Sequence, residues 1–177
     1  MPTKAEQTLA EMNAYRCPRY AQLPEIALYR DQVLDALERY TAPFFAGRSE
    51  PPLTAAMINN YVKLQLLAPP VKKRYSREQI AQLYVICLLK QVMSISELRG
   101  LMEIQRRSYP LEQAYDYFCT EMEKALQATF GTRDFSMPSS AQKATPESEL
   151  VRSLALCLAN KIFALKFIEL YPRAEKE

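Results

Sequence analysis

Apolar residues recur along most of the chain at the three- and four-residue spacing of amphipathic helices, and this pattern predicts an all-α fold. The first strongly periodic run predicts a helix that begins at Asp31 and ends before the loop of residues 47–52. A short second helix should run from its N-cap Thr54 to about residue 65. Its periodicity places one set of side chains toward the core, Ile58, Tyr61 and Val62, and the other toward solvent, Asn59, Asn60 and Lys63.

Two capping boxes, in which a serine and a residue three positions later satisfy the first backbone N–H groups of a helix, predict further helix starts. Ser76 pairs with Gln79, and Ser94 pairs with Glu97. The segment that precedes the first of them, residues 68–75, contains two consecutive prolines and cannot be helical. It should form an extended loop or a small two-stranded wing.

The C-terminal half predicts two longer helices. The first covers residues 111–130 and should end at Gly131, a natural C-terminal stop. The second should begin at the cap Thr145 and continue to about Tyr171. It is apolar around much of its circumference, so it should be buried either in the core or against a second copy, and the sequence leaves both open. Arg152 and the other charged residues within it argue against a membrane span.

These elements predict three parts: an N-terminal arm (residues 1–30), a winged helix-turn-helix region (31–105) and a helical C-terminal part (106–177). The arm begins with about twenty polar residues, which should form a loosely held segment or a short helix. Its N-terminus has no apolar core, so no signal peptide is expected and the reducing cytoplasm is the expected location.

Composition argues against catalysis. The chain has no histidine, the commonest general base and zinc ligand, and its three glycines are too scattered for a phosphate-binding loop. Two carboxylate pairs on one predicted helix are candidates for acid–base catalysis, Glu112 with Asp116 and Glu121 with Glu123. Glu112 and Asp116 lie one turn apart and outward from the apolar stripe, so a solvated face explains this pair better. The four cysteines are far apart in sequence, and Cys87 and Cys157 lie in apolar helical runs where buried free thiols are expected. We therefore expect no enzyme activity, no metal and no cofactor.

The positive charge is local. The whole chain carries a net charge of +3, whereas residues 51–77, hereafter the basic segment, carry +5 and contain no acidic residue. The rest of the chain therefore carries about −2. Its five cations are Lys63, Lys72, Lys73, Arg74 and Arg77. Clustered lysines and arginines on an ordered segment are typical of proteins that bind the phosphate backbone of DNA.

The order of elements in this region resembles a known DNA-binding domain. Residues 57–63, 66–70, 73–76 and the helix that contains Gln79 and Ile80 are similar to the DNA-binding domain of MerR-type transcription regulators, and the likeness extends over residues 53–102. It implies that Thr54, Asn59, Asn60 and Lys63 face the major groove, that Tyr61 contacts the DNA backbone, and that Lys72, Lys73 and Arg74 supply contacts from the wing. Arg77, just after the wing, is a further expected DNA-binding residue. Asn59 and Asn60 stand where that family usually has arginine and tyrosine, which contact the DNA backbone. The resemblance therefore does not imply that this protein activates transcription by distorting promoter DNA, as MerR-type regulators do.

The whole chain also resembles a bacterial family catalogued only as a domain of unknown function, whose members are described at most as candidate regulators. The favoured hypothesis is a homodimeric transcription regulator that binds double-stranded DNA, with the C-terminal part as its dimer interface. The alternative is a helical protein-interaction module that has lost DNA binding. The apolar C-terminal half has room for a small-molecule effector, although no residue pattern supports one.

Overall fold

The computed structural model describes residues 1–170, and its fold is mostly helical, as the periodicity predicts. The elements in chain order are α1 (Lys4–Ala14), β1 (Leu28–Tyr29), α2 (Arg30–Phe45), α3 (Ala55–Lys63), β2 (Arg74–Tyr75), α4 (Arg77–Leu89), α5 (Ile95–Ser108), α6 (Leu111–Leu126) and α7 (Pro146–Leu170). The two short strands pair antiparallel, with Leu28 opposite Tyr75 and Tyr29 opposite Arg74. The predicted end of the last helix, Tyr171, lies outside the described residues.

The predicted caps are present. Ser76 and Gln79 form a reciprocal pair at the start of α4, and Ser94 and Glu97 form one at the start of α5. The hydroxyl of Thr145 accepts a hydrogen bond from the backbone N–H of Ser148 at 3.2 Å. These local signals located the helix starts because each one satisfies backbone donors that have no partner within the helix.

Helix α4 lies at the centre of the fold. It packs against α2, β2, α6 and α7, and its buried residues lie on every side of the helix. Ala81, Ile86 and Leu89 are buried in addition to the single stripe that the periodicity predicts. The structure therefore covers most of this helix, and within it only Glu78 is exposed.

Helix α7 is only partly covered. It buries a narrow stripe that includes Ala155, Leu158 and Ile162, packed mainly against α6, whereas Leu165 and Ile168 are exposed. The prediction of a buried helix is thus met along one face only. The prediction of a buried thiol at Cys157 is wrong, because this side chain points away from α6 and is exposed.

The N-terminal segment is tied to the body of the protein rather than loosely held. The side chain of Met12, in α1, is fully buried. The carboxylate of Glu123 in α6 accepts a hydrogen bond from the backbone N–H of Cys17 at 2.8 Å and pairs with Arg19 at 3.0 Å. One hydrophobic cluster contains residues from all three predicted parts, and α5 continues past residue 105, so the division into parts stays a prediction.

The helix ends agree with the predictions in one case and differ in others. Helix α2 ends at Phe45, before the loop of residues 47–52 as predicted, and includes Pro43 in its last turn. Helix α5, which the sequence predicted to end at about Met102, continues to Ser108. Helix α6 passes into a wider π-turn, residues 127–132, which ends at the left-handed residue Arg133 rather than at Gly131. A Cβ atom at Gly131 would lie 2.5 Å from the side-chain oxygen of Asn13, so this glycine permits close approach of α1 instead of ending the helix.

Within residues 1–170, no helix combines the length and the apolar character that crossing a membrane requires.

Candidate nucleic-acid interface

Helix α3 presents a polar face to solvent. Its N-cap Thr54 accepts a hydrogen bond from the backbone N–H of Met57 at 3.2 Å. Ile58 is fully buried, whereas Asn59, Asn60 and Lys63 are exposed, as the pattern predicts. Three or four residues separate Lys63 from the two asparagines, so these three side chains share one side of the helix.

The start of α3 is fixed to the central helix. The ammonium group of Lys90, at the end of α4, donates hydrogen bonds to the backbone carbonyl of Pro52 and to the sulfur of Met57. Burial lowers the pKa of this lysine from its ordinary value. The loop that leads into α3 is therefore held by a partly desolvated cation, and the helix has a defined position on α4.

The connection after α3 is also ordered. Gln65 adopts a left-handed backbone conformation, and the backbone N–H groups of Leu66 and Leu67 both donate to the carbonyl of Tyr61, at 2.9 and 3.2 Å. The amide of Gln79 then donates to the carbonyls of Ala68 and Pro69 at 2.8 and 3.3 Å. The same glutamine caps α4, so one side chain fixes the proline-rich loop to the helix that follows it.

A two-residue turn carries Lys72 and Lys73 at its tip. Val71 and Arg74 exchange two backbone hydrogen bonds, of 3.1 and 2.9 Å, and close the turn. Both lysines have positive φ angles, 47° and 64°, which is the pattern of a type I′ hairpin turn. Such positions favour asparagine and glycine, so two adjacent lysines there carry backbone strain. Both lysines are exposed.

Arg74 in β2 and Arg77 at the start of α4 rest on tyrosines from the N-terminal segment. The guanidinium of Arg74 lies 4.7 Å from the ring centroid of Tyr29 and donates a hydrogen bond to its hydroxyl at 3.0 Å. That of Arg77 lies 5.7 Å from the ring centroid of Tyr20, and its buried Nε has no hydrogen-bond partner. Arg74 is exposed and Arg77 is half-buried, so the former is the more accessible cation.

Tyr61 does not belong to the exposed surface. Only 4% of this residue is exposed, because its ring packs in the hydrophobic cluster, and burial raises the pKa of its hydroxyl to about 12. A buried phenol offers little surface to a phosphate group. The backbone contact that the resemblance implied for Tyr61 is therefore replaced by a role in positioning α3.

Sequence reasoning missed Tyr29. The sequence predicted no strand in the N-terminal part, whereas its strand β1 pairs with β2 and its tyrosine supports Arg74. The adjacent apolar residues Leu28 and Tyr29 just before α2 were the available signal, but two residues are too few to predict a strand.

Asp116, Glu121 and Glu123, three of the four carboxylates considered for catalysis, have structural partners. Asp116 accepts a hydrogen bond from the backbone N–H of Tyr20 at 2.8 Å, so its predicted solvated position is wrong, whereas Glu112 is exposed as predicted. Glu123 binds the segment that contains Cys17, as described above. In the part of the chain that the structure describes, no group of three or more acidic, cysteine or histidine side chains is placed to hold a metal ion.

The geometry defines a mostly helical domain with a solvent-facing polar helix and a basic turn next to it. The chain belongs to the family described as Domain of unknown function (DUF1836), whose model matches residues 18–118. The match covers the segment that is tied to α6, the basic segment, α4, α5 and the first half of α6. No curated protein and no solved structure matches the chain.

Proposed function

We propose that this protein is a transcription regulator that binds double-stranded DNA as a homodimer through a MerR-like winged helix-turn-helix. Helix α2 and helix α3 form the helix pair, and the turn of residues 71–74 is the wing. In this proposal Asn59, Asn60 and Lys63 reach base edges and phosphates of the major groove. Lys72, Lys73 and Arg74 contact the DNA backbone.

The observation that carries the proposal is the strained turn. A pair of lysines at two positive-φ positions is a costly choice where asparagine and glycine would fit without strain. Strain of this kind is retained where exposed side chains have a function, and two exposed ammonium groups at the tip of a fixed turn suit phosphate contacts. The absence of any acidic residue in the basic segment is in keeping with this role.

The order of the elements gives further support. Strand β1 precedes α2 and pairs with β2, which follows the turn, so the strands bracket the helix pair. Arg74 stands on this small sheet and is braced by Tyr29. A cation held in one position loses less conformational freedom on binding a phosphate than a free side chain does.

The test is binding of a duplex of random sequence, measured by fluorescence anisotropy over a range of salt concentrations. The double variant Lys72→Ala, Lys73→Ala should bind more weakly at every salt concentration. Its plot of log affinity against log salt should be flatter by about two units per protomer, since each lost phosphate contact removes about 0.9. Asn60→Ala should instead relax the preference for a selected sequence over the random duplex.

The matched control is Arg106→Ala with Arg107→Ala, which removes two adjacent exposed cations from α5 and changes the net charge equally. This control should retain the affinity and the salt dependence of the native protein. If both double variants lost DNA affinity equally, the loss would come from the change in net charge alone and not from the position of the lysines. Unchanged DNA binding by the turn variant would contradict the proposal.

A second candidate function is a helical protein-interaction module. It is favoured by the exposed apolar residues near the end of α7, among them Leu165 and Ile168. A native protein that shows no salt-dependent retention on a duplex DNA column, but forms a salt-insensitive complex with a protein partner, would support this alternative.

A further inference from the structure

A pocket of about 360 Å³ opens between α5, α6, the loop of residues 133–145 and the start of α7. Its walls are mainly apolar and include Leu101, Ile104, Leu150 and Val151. Pockets that hold small molecules have volumes of roughly 300–1,000 Å³ and mostly apolar linings. The pocket thus has the size and the lining of a ligand site.

A second cavity, of about 70 Å³, adjoins the pocket on the side of the central helix and is called the inner cavity below. The two cavities share Leu101, Gln105, Ala114 and Val151 in their linings, and the inner cavity adds Val85 and Leu89 of α4. Its lining is almost entirely apolar, so an apolar group of a ligand that entered it would remove apolar surface from water.

The loop that forms one wall of the pocket is fixed by a buried carboxylate. Glu121 is 3% exposed and accepts hydrogen bonds from the backbone N–H of Ser140, at 2.7 Å, and from its hydroxyl. Lys124 lies 3.9 Å from the same carboxylate. The hydroxyl of Tyr117 also bonds to Ser139 and to the carbonyl of Ser148, each at 3.0 Å. Burying a carboxylate is expensive unless its partners are complete, so this network holds the wall in one place.

We propose that this pocket binds a small, largely apolar organic molecule whose polar end remains at the mouth. The amide side chains of Gln113 and Gln142 line the outer part, and Lys143 and Glu147 supply one charge of each sign there. The inner end has almost no polar surface. A neutral or singly charged amphipathic ligand fits this gradient better than a multiply charged one.

The dimensions distinguish this ligand from a peptide. A bound helix is about 10 Å wide and requires a groove that accepts side chains from successive turns. A pocket of 360 Å³ that narrows toward α4 has room for a ring or a short chain instead. The site therefore favours a small molecule over a second protein.

The ligand site does not depend on DNA binding, although a regulatory role for the ligand does rest on the proposed function. The inner cavity touches Gln82 and Val85 of α4, the helix that fixes the proline-rich loop before the turn. A ligand in the inner cavity would therefore contact the same helix that positions the basic segment. Failure of DNA binding would remove this consequence and leave the site itself unaffected.

Anilinonaphthalene sulfonate, an apolar dye with one charged group, is the probe for the native protein. We expect enhanced, blue-shifted emission that saturates at one dye per chain. Ala114→Phe places a ring where both cavities meet and should weaken dye affinity by about tenfold. Ala10→Phe, on the exposed face of α1, is the matched control and should bind like the native protein.

Circular dichroism and thermal melting establish that each variant folds. If Ala114→Phe does not fold, Ile104→Trp narrows the mouth from an exposed position and should weaken binding in the same way. Unchanged binding in the folded variants would place the dye elsewhere, for example on the exposed end of α7, and would overturn the proposal. The proposal would also be overturned if the native protein caused no change in dye emission. Conversion of a native dimer to a monomer by Ala114→Phe would overturn it as well, because the pocket would then be an interface between copies.

Discussion

Helices α4 and α7 have similar apolar content by sequence and different positions in the fold. Nine of the thirteen residues of α4 are buried, compared with five of the twenty-five residues of α7. Four elements pack against different sides of α4, whereas α7 contacts at least as many elements but buries only one narrow face, mainly against α6, and leaves Leu165 and Ile168 exposed. The burial of a helix therefore depends on how its neighbours are distributed around it, and not on its own composition alone.

The largest effect is expected from a matched pair of leucine-to-alanine substitutions, one in each helix. Leu83→Ala removes a fully buried side chain from α4, and the lost contacts and the new cavity should lower the free energy of unfolding by about 2–5 kcal/mol. Leu165→Ala, on the exposed part of α7, should change it by less than about 0.5 kcal/mol. Urea unfolding followed by circular dichroism measures both.

Equal destabilisation by the two substitutions would break the comparison. It would mean that Leu165 is buried in solution, as it would be if a second copy covers the end of α7. Sedimentation of the native protein and of Leu165→Ala at the same concentrations tests that explanation, because loss of a dimer would then accompany the loss of stability.

Substitutions in the turn of residues 71–74, which precedes α4, should change the free energy of unfolding less than Leu83→Ala does, and in the opposite direction. Replacing Lys72 by Asn and Lys73 by Gly supplies the residues that two positive φ angles favour, so the free energy of unfolding should rise by about 1 kcal/mol. In the proposed function the same double variant should bind DNA as weakly as the double alanine variant. A gain in stability together with a loss of affinity would show that the strain serves binding.

The double alanine variant is the control for this prediction, because alanine is as unfavourable as lysine at positive φ. It should lose affinity without gaining stability. If the Asn-Gly variant is no more stable than the native protein, the turn does not adopt its strained form in solution, and the observation that carries the proposed function falls.

Local signals in the sequence predicted the helix starts and the sides of α3. Ser76, Ser94 and Thr145 satisfy backbone donors a few residues away, so their effect does not depend on the rest of the fold. The exposed positions of Asn59 and Lys63 follow from helical periodicity in the same way.

Contacts between distant parts of the chain were not predictable. The close approach of α1 brings Asn13 against Gly131, and the order of the N-terminal segment depends on Glu123 binding residues more than one hundred positions away. In the candidate interface, the position of Arg74 depends on Tyr29, whereas the burial of Tyr61 follows from the periodicity of α3. Sequence patterns fix which side of a helix is apolar, but tertiary contacts decide which residues remain accessible.

The smallest expected effect concerns Cys87 and Cys157, which the sequence predicted to be buried alike. Cys87 in α4 is fully buried, and burial raises the pKa of its thiol to about 11, so it has very little reactive thiolate at pH 8. Cys157 in α7 is exposed, and Cys17 and Cys119 are buried. A disulfide-forming thiol reagent should therefore label one thiol rapidly in the native protein and all four in denaturant. Cys157→Ser should abolish the rapid phase without a change in stability, whereas a rapid phase that persists in this variant would show that the packing around α4 opens readily.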